Sequence, residues 1–159
     1  MKFLKFFSFL LVVAALFSCS SDDDICTSGE ATPRIKIKFK TLATGKLKTL
    51  DSVFVSVDYA AGNTVVINKQ LKVDSLLIPL RVDDSPFTDI HVKLAGDGPE
   101  SKIRINYNTT SEYVSPACGI KKLYENVSSQ LETQDPVFGL ENAQNQILNE
   151  DKTHLFLLF

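Results

Sequence analysis

Residues 35–40 read IKIKFK, six positions that alternate apolar and cationic side chains. Wound as a helix, this segment would scatter its lysines around the whole circumference. As a strand it sets Ile35, Ile37 and Phe39 on one face and Lys36, Lys38 and Lys40 on the other, the period-two signature of a sheet with one face buried and one wet. The pattern recurs. VFVSVDY aligns Val53, Val55, Val57 and Tyr59, and SLLIPLRV aligns Leu76, Ile78, Leu80 and Val82, with Pro79 marking an edge or bulge. DIHVKL aligns Ile90, Val92 and Leu94, KIRINY aligns Ile103, Ile105 and Tyr107, and TVVI at 64–67 is a weaker strand signal. AAGN at 60–63, DDSP at 83–86 and GDGPE at 96–100 supply turn residues between these runs. Strands at this spacing, with no long helical pattern between them, predict an all-β fold: an antiparallel β-sandwich, Ig-like or related, or a small barrel.

The last forty residues carry a weaker pattern. Leu123, Val127 and Leu131 are four apart, as in a short helix, but Val127, Ser128 and Ser129 favour a strand, the reading adopted here. VFGLENAQNQIL at 137–148 reads as partly loop. THLFLLF closes the sequence as a strand with Leu155, Leu157 and Phe159 toward the core. A terminal Phe on an apolar strand also resembles the ending of outer-membrane barrels. The strands above, however, place Lys, Arg and Asp on their second face without lipid-interface aromatic girdles, which argues against one.

The N-terminus is built differently. MKFLK gives a short basic start, and residues 6–17, FFSFLLVVAALF, an apolar run well short of the roughly 20 residues that a spanning helix needs. This is the build of a signal peptide over residues 1–18. Leu16-Phe17-Ser18-Cys19 resembles the lipobox of bacterial lipoproteins. That resemblance implies cleavage between Ser18 and Cys19 and acylation of the Cys19 thiol and amino group, with membrane lipid as the partner. Stable anchoring takes more than one acyl chain. Residues 19–33 then form a tether. Ser21, Asp22, Asp23 and Asp24 resemble the serine-plus-acidic signal of surface-displayed lipoproteins of the Bacteroidota, although a plain solvated spacer has the same composition. The acidic run lacks the alternate spacing and the Gly of a calcium loop. Residues 34–159 form the β domain.

With Cys19 assigned to lipid, Cys26 and Cys118 remain, an even pair in an oxidising compartment. They form either a disulfide closing a loop of about 93 residues or two buried free thiols. Three segments, DDICTSGEATPRIKIKF at 23–39, EYVSPACG at 112–119 and NEDKTHLFLLF at 149–159, resemble a family of small Bacteroidota lipoproteins whose domain has no assigned function. The resemblance implies that Cys26 and Cys118 pair, because both lie in matching segments. It supplies no catalytic or binding residues.

The remaining residues offer little chemistry. With Lys2 and Lys5 removed, the chain has 15 basic and 19 acidic side chains, which gives no electrostatic basis for binding nucleic acid. Neither a phosphate-cradling loop nor a G-x-S-x-G elbow is present. Cys26, His91, Cys118 and His154 lack zinc-site spacing. His91 reads as a solvated strand residue on the face away from the core, and His154 begins the final strand. Asp83 and Asp84 read as a turn. No catalytic set, metal or cofactor is expected. Lys36, Lys38 and Lys40, with Lys46 and Lys48 nearby, read as protection of a sheet edge rather than a stripe for an anionic partner. Asn108 and Asn126 match the glycan-acceptor pattern by coincidence. The sequence therefore points to a lipoprotein anchored at the outer membrane, outward-facing or not, and working as a non-enzymatic interaction or accessory domain for an envelope protein partner. The alternatives are a small-molecule or lipid carrier with a cavity in the β domain, and an envelope hydrolase using His91 or His154.

Overall fold

The structure is a computed structural model that describes residues 31–116 and 118–159. The expected signal peptide up to Ser18, the expected lipidation position Cys19, the expected tether residues Ser21, Asp22, Asp23 and Asp24, and Cys26 lie outside the described residues. Ten strands are present among the described residues: β1 (Ile35–Lys40), β2 (Leu50–Tyr59), β3 (Gly62–Val73), β4 (Ser75–Ile78), β5 (Phe87–Lys93), β6 (Ser101–Ser115), β7 (Gly119–Thr133), β8 (Gly139–Asn142), β9 (Gln146–Ile147) and β10 (Leu155–Leu158). They form two sheets, one of four strands in the order β4-β1-β10-β8 and one of six in the order β3-β2-β5-β6-β7-β9. The architecture is an all-β sandwich whose sheets do not close into a barrel. No helix occurs among the described residues.

The alternating runs give the core its rows. Ile35, Ile37 and Phe39 of β1, with Leu155 and Leu157 of β10, are 0–1 % exposed. Opposite them lie Val53, Val55 and Val57 of β2, Ile90 and Val92 of β5, and Ile103 and Ile105 of β6. At about 25 cal/mol per Å² of apolar surface removed from water, these rows supply most of the drive to fold. Polar groups reaching the core are paired. The hydroxyls of Thr88 and Tyr107 bond each other, and the Arg81 amide donates to Thr88 Oγ1 at 3.0 Å. Tyr59 donates to the Pro79 carbonyl at 3.0 Å and Tyr124 to the Arg81 carbonyl at 3.3 Å. These bonds hold residues 79–81 in place after Pro79, which lacks an N–H, has ended the β4 ladder. The expected strand through Val82 therefore stops at Ile78. Leu80 stays buried, while Val82 is 55 % exposed.

The topology refines the expected pairing and corrects the reading of the β1 lysines. The pairing is not wholly antiparallel, since β1 and β10 run parallel, Ile37 opposite Leu155 and Phe39 opposite Leu157. β1 is also an interior strand, so its lysines guard no edge. Instead Lys36 Nζ donates to the carbonyls of Glu150 and Asp151 at 3.0 and 3.3 Å. Lys40 pairs with Glu141 at 2.8 Å and lies 3.9 Å from the Phe156 ring centroid. The weak signal at 64–67 belongs to a twelve-residue edge strand, β3.

β6 and β7 form the longest element. β5 pairs with β6 only from Ser101 to Asn106, and β9 pairs with β7 only at Tyr124 and Glu125. Beyond those limits, residues 110–115 and 119–123 continue as a two-stranded ribbon, about 17 Å long at about 3.4 Å per residue. Within β7, Asn126 takes a left-handed φ of 53°, a conformation Asn tolerates better than most residues, where the register with β6 shifts. The bulge switches the inward set from Tyr124 to Val127, both buried. It explains why Leu123, Val127 and Leu131 show no clean alternation, and the strand reading of this segment holds.

Candidate functional site

The outward face of the six-stranded sheet carries two adjacent clusters of paired charges. β2 and β5 pair in a register that sets Ser56 opposite His91 and Asp58 opposite Asp89. His91 lies between two carboxylates: Nε2 is 2.9 Å from Asp58 Oδ2 and Nδ1 is 2.8 Å from Glu100 Oε1. Ionised carboxylates only accept hydrogen bonds, so this arrangement requires an N–H on both ring nitrogens, an imidazolium. Burial alone would lower the His91 pKa, but the bonds to Asp58 and Glu100 outweigh it and raise the pKa above its ordinary value. Lys93 Nζ, 3.0 Å from Glu100, balances the charge. His91 is therefore an ion-paired residue, not the solvated one that its parity suggested.

The neighbouring cluster centres on Asp89, 5 % exposed although it lies on the outward face. Arg104 grips both its oxygens at 2.8 Å through Nε and Nη2, and Lys102 Nζ lies 2.9 Å away. The bond from Arg104, aided by Lys102, holds the Asp89 carboxyl below the usual range. Glu132 of β7 closes the set at 3.1 Å from Lys102 and 3.2 Å from Arg104. The Arg104 guanidinium also covers the Phe87 ring at 4.1 Å.

An open cleft of about 240 Å³ borders the His91 cluster, lined by Phe54, Ser56, Asn63, Ile67, Lys93 and Gly96 among others. It presents one aromatic face, amide and hydroxyl groups, and the balanced charges of His91, Lys93 and Glu100. Both ring nitrogens of His91 are engaged by carboxylates rather than by Ser56. The two carboxylates lie at opposite edges of the ring. Among the described residues no three His, Cys, Asp or Glu side chains converge as metal ligands. Asp58 and Glu100 were missed in the sequence because their meeting with His91 depends on β2 and β5 being neighbours, with β3 and β4 intervening along the chain.

His154 is 3 % exposed, and its Nδ1 accepts the Lys36 amide at 2.8 Å. Asp83 is a turn residue, as expected, held by Arg81 at 2.6 Å with its carboxyl at about 2, chiefly through that bond. Asp84 braces the ribbon, accepting from Thr109 Oγ1 at 3.0 Å and from Lys122 Nζ at 2.6 Å.

Cys118 lies in the turn joining β6 to β7, where its amide donates to Ser115 Oγ at 3.1 Å. The N-terminal segment docks on the same ribbon: the Lys122 amide donates to Thr32 Oγ1 at 3.0 Å. Two residues on, Arg34 makes a two-pronged pair with Glu150 at 2.7 and 2.9 Å.

These features define a β-sandwich with a charge-paired outer face and a projecting ribbon. The chain belongs to a family of unknown function, DUF6452, whose model matches residues 49–159. The match includes the segments at 112–119 and 149–159 and starts after the one at 23–39. No curated protein and no solved structure matches the chain.

Proposed function

We propose that the chain is an exported lipoprotein whose β-sandwich serves as a non-enzymatic interaction or accessory domain at the outer membrane, in a bacterium of the Bacteroidota. Residues 1–18 are removed, Cys19 carries the acyl chains, and residues 19–33 link them to the body. The observation that carries this reading is the spacing between lipobox and fold. The first strand among the described residues begins at Ile35, sixteen residues after Cys19. The Ser21–Asp24 run gives the tether its charge and, read as a sorting signal, turns the domain outward.

Within this reading Cys26 and Cys118 are disulfide-bonded. Thr32 docks at Lys122, four residues from Cys118 along β7, or about 13 Å. Cys26 is six residues before Thr32, a reach of up to about 20 Å. The tether can therefore close on the turn.

The interaction role is favoured over the alternatives on two grounds. The aliphatic rows of the sandwich pack together as one core cluster, and the outer cleft of about 240 Å³ falls below the roughly 300–1,000 Å³ usual for ligand sites. Both histidines are engaged, His91 by two carboxylates and His154 by the Lys36 amide. The test is fractionation of a Cys19→Ala variant together with the mass of the N-terminal peptide. Loss of the membrane-bound form and of acyl mass is expected; continued membrane association would overturn the anchor. Crosslinking in whole cells then identifies the envelope partner.

A further inference from the structure

We propose that the tip of the β6–β7 ribbon rests on the lipid surface, with Tyr113 and Ile120 in the interfacial layer and the sandwich standing away from the bilayer. This deepens the lipoprotein reading and rests on it.

The tip is amphipathic. Tyr113 and Ile120 are directly opposed across the two strands, and each is 65 % exposed. The next pair, Glu112 and Lys121, is also directly opposed and projects from the other face, joined by an ion pair at 3.2 Å. An apolar cross-strand pair normally stabilises a hairpin by packing against a third layer; here the ribbon has outrun both β5 and β9. The ribbon is nonetheless held in place, since Asp84 ties Thr109 to Lys122 and Thr32 caps the Lys122 amide. A braced projection of this length carries its apolar pair as a fixed foot.

The tether identifies what the foot meets. The chain joins the ribbon at Thr32, beside Lys122 and two residues from Ile120. Through the proposed Cys26–Cys118 bridge, only seven residues separate Cys19 from the tip, a reach of at most about 25 Å. The acyl chains therefore hold the tip, rather than the opposite end of the sandwich, near the bilayer. Tyrosine favours the membrane–water interface, where its ring is partly buried and its hydroxyl stays hydrated. Two such side chains bind a membrane weakly on their own. Held there by the acyl anchor, they meet it as an intramolecular partner at high effective concentration, so their effect is orientation rather than affinity.

The chain contains no tryptophan, which allows a direct test. Tyr113→Trp and Phe138→Trp variants of the full mature chain, acylated at Cys19 in a lipoprotein-processing host, are reconstituted into phosphatidylethanolamine–phosphatidylglycerol vesicles with brominated acyl chains. Phe138, 48 % exposed, follows Val137, whose amide bonds Ser101 at the other end of β6. Both substituted positions are exposed, so the fold is retained. The expected result is blue-shifted, bromine-quenched emission from Tyr113→Trp, with at least a twofold loss of intensity, and unquenched emission from Phe138→Trp. Vesicle flotation with Tyr113→Trp unquenched, or with both variants quenched equally, overturns the inference while leaving the anchor intact. Failure of the wild-type chain to float, with no acyl mass on Cys19, overturns the anchor and the inference with it.

Discussion

Lys36 and His154 are joined by a reciprocal pair of hydrogen bonds: the Lys36 amide donates to His154 Nδ1 at 2.8 Å, and the His154 amide donates to the Lys36 carbonyl at 2.9 Å. The acceptor role fixes His154 as a neutral imidazole with its proton on Nε2. Burial lowers its pKa below the ordinary value. The unfolded chain then binds the extra proton more readily, so this residue makes stability fall as pH drops below about 6.5 toward the depressed folded value. His154→Phe keeps the volume but leaves the Lys36 amide without its acceptor, a loss of about 1–3 kcal/mol. Urea midpoints measured from pH 7 to 5 should show lower stability at pH 7 and a flatter acid limb.

His91 acts on the opposite limb. Its folded pKa is raised by Asp58 and Glu100 against the opposing effect of burial. Its stabilisation is complete below about pH 6.5 and is lost as pH rises through the folded value. Above that value one carboxylate faces a lone pair, with Lys93 left to offset Glu100 and Asp89 close by. His91→Gln should remove this alkaline decline between pH 6.5 and 9, and persistence of the same slope would refute the assignment.

Asp89 is the least exposed member of the outer charge network and the shared partner of Arg104 and Lys102. Asp89→Asn leaves two cations with only Glu132 as a carboxylate partner. Because both cations are partly solvated, the expected loss is about 1–3 kcal/mol, below that for a fully buried pair. Chemical denaturation should show a lower midpoint at unchanged m-value. Arg104→Lys, which keeps the charge but not the fork, should recover only part of the wild-type stability.

For the Cys26–Cys118 pairing, closure of about 93 residues corresponds to about 4–5 kcal/mol in chain-entropy arithmetic. Cys118→Ser should lower stability by up to that amount, and reductant should bring wild type down to the level of the variant. Two free thiols by mass under non-reducing conditions would exclude the bridge.

The parts of the fold legible in the sequence are those with one wet and one dry face. β1, β2 and β5 announce themselves because their inward residues meet a core and their outward residues meet water. β3 and the β6–β7 ribbon are hidden by the converse. Most residues of β3 are exposed, and NTTSEY at 108–113 is mostly exposed on both faces, so neither shows a sustained alternation. β7 is masked by the parity switch at Asn126. The His91 network is invisible for another reason, since Asp58, His91 and Glu100 come together only through strand order, which local patterns do not encode.

The parallel pairing of β1 with β10 constrains the order of assembly. The larger sheet grows mostly through hairpins and neighbours of modest separation, whereas β1 meets β4 about forty residues on but must wait for its parallel partner β10 until more than a hundred residues later. A chain emerging N-terminus first leaves one edge of β1 open until β10 arrives, so the small sheet is the last part to close.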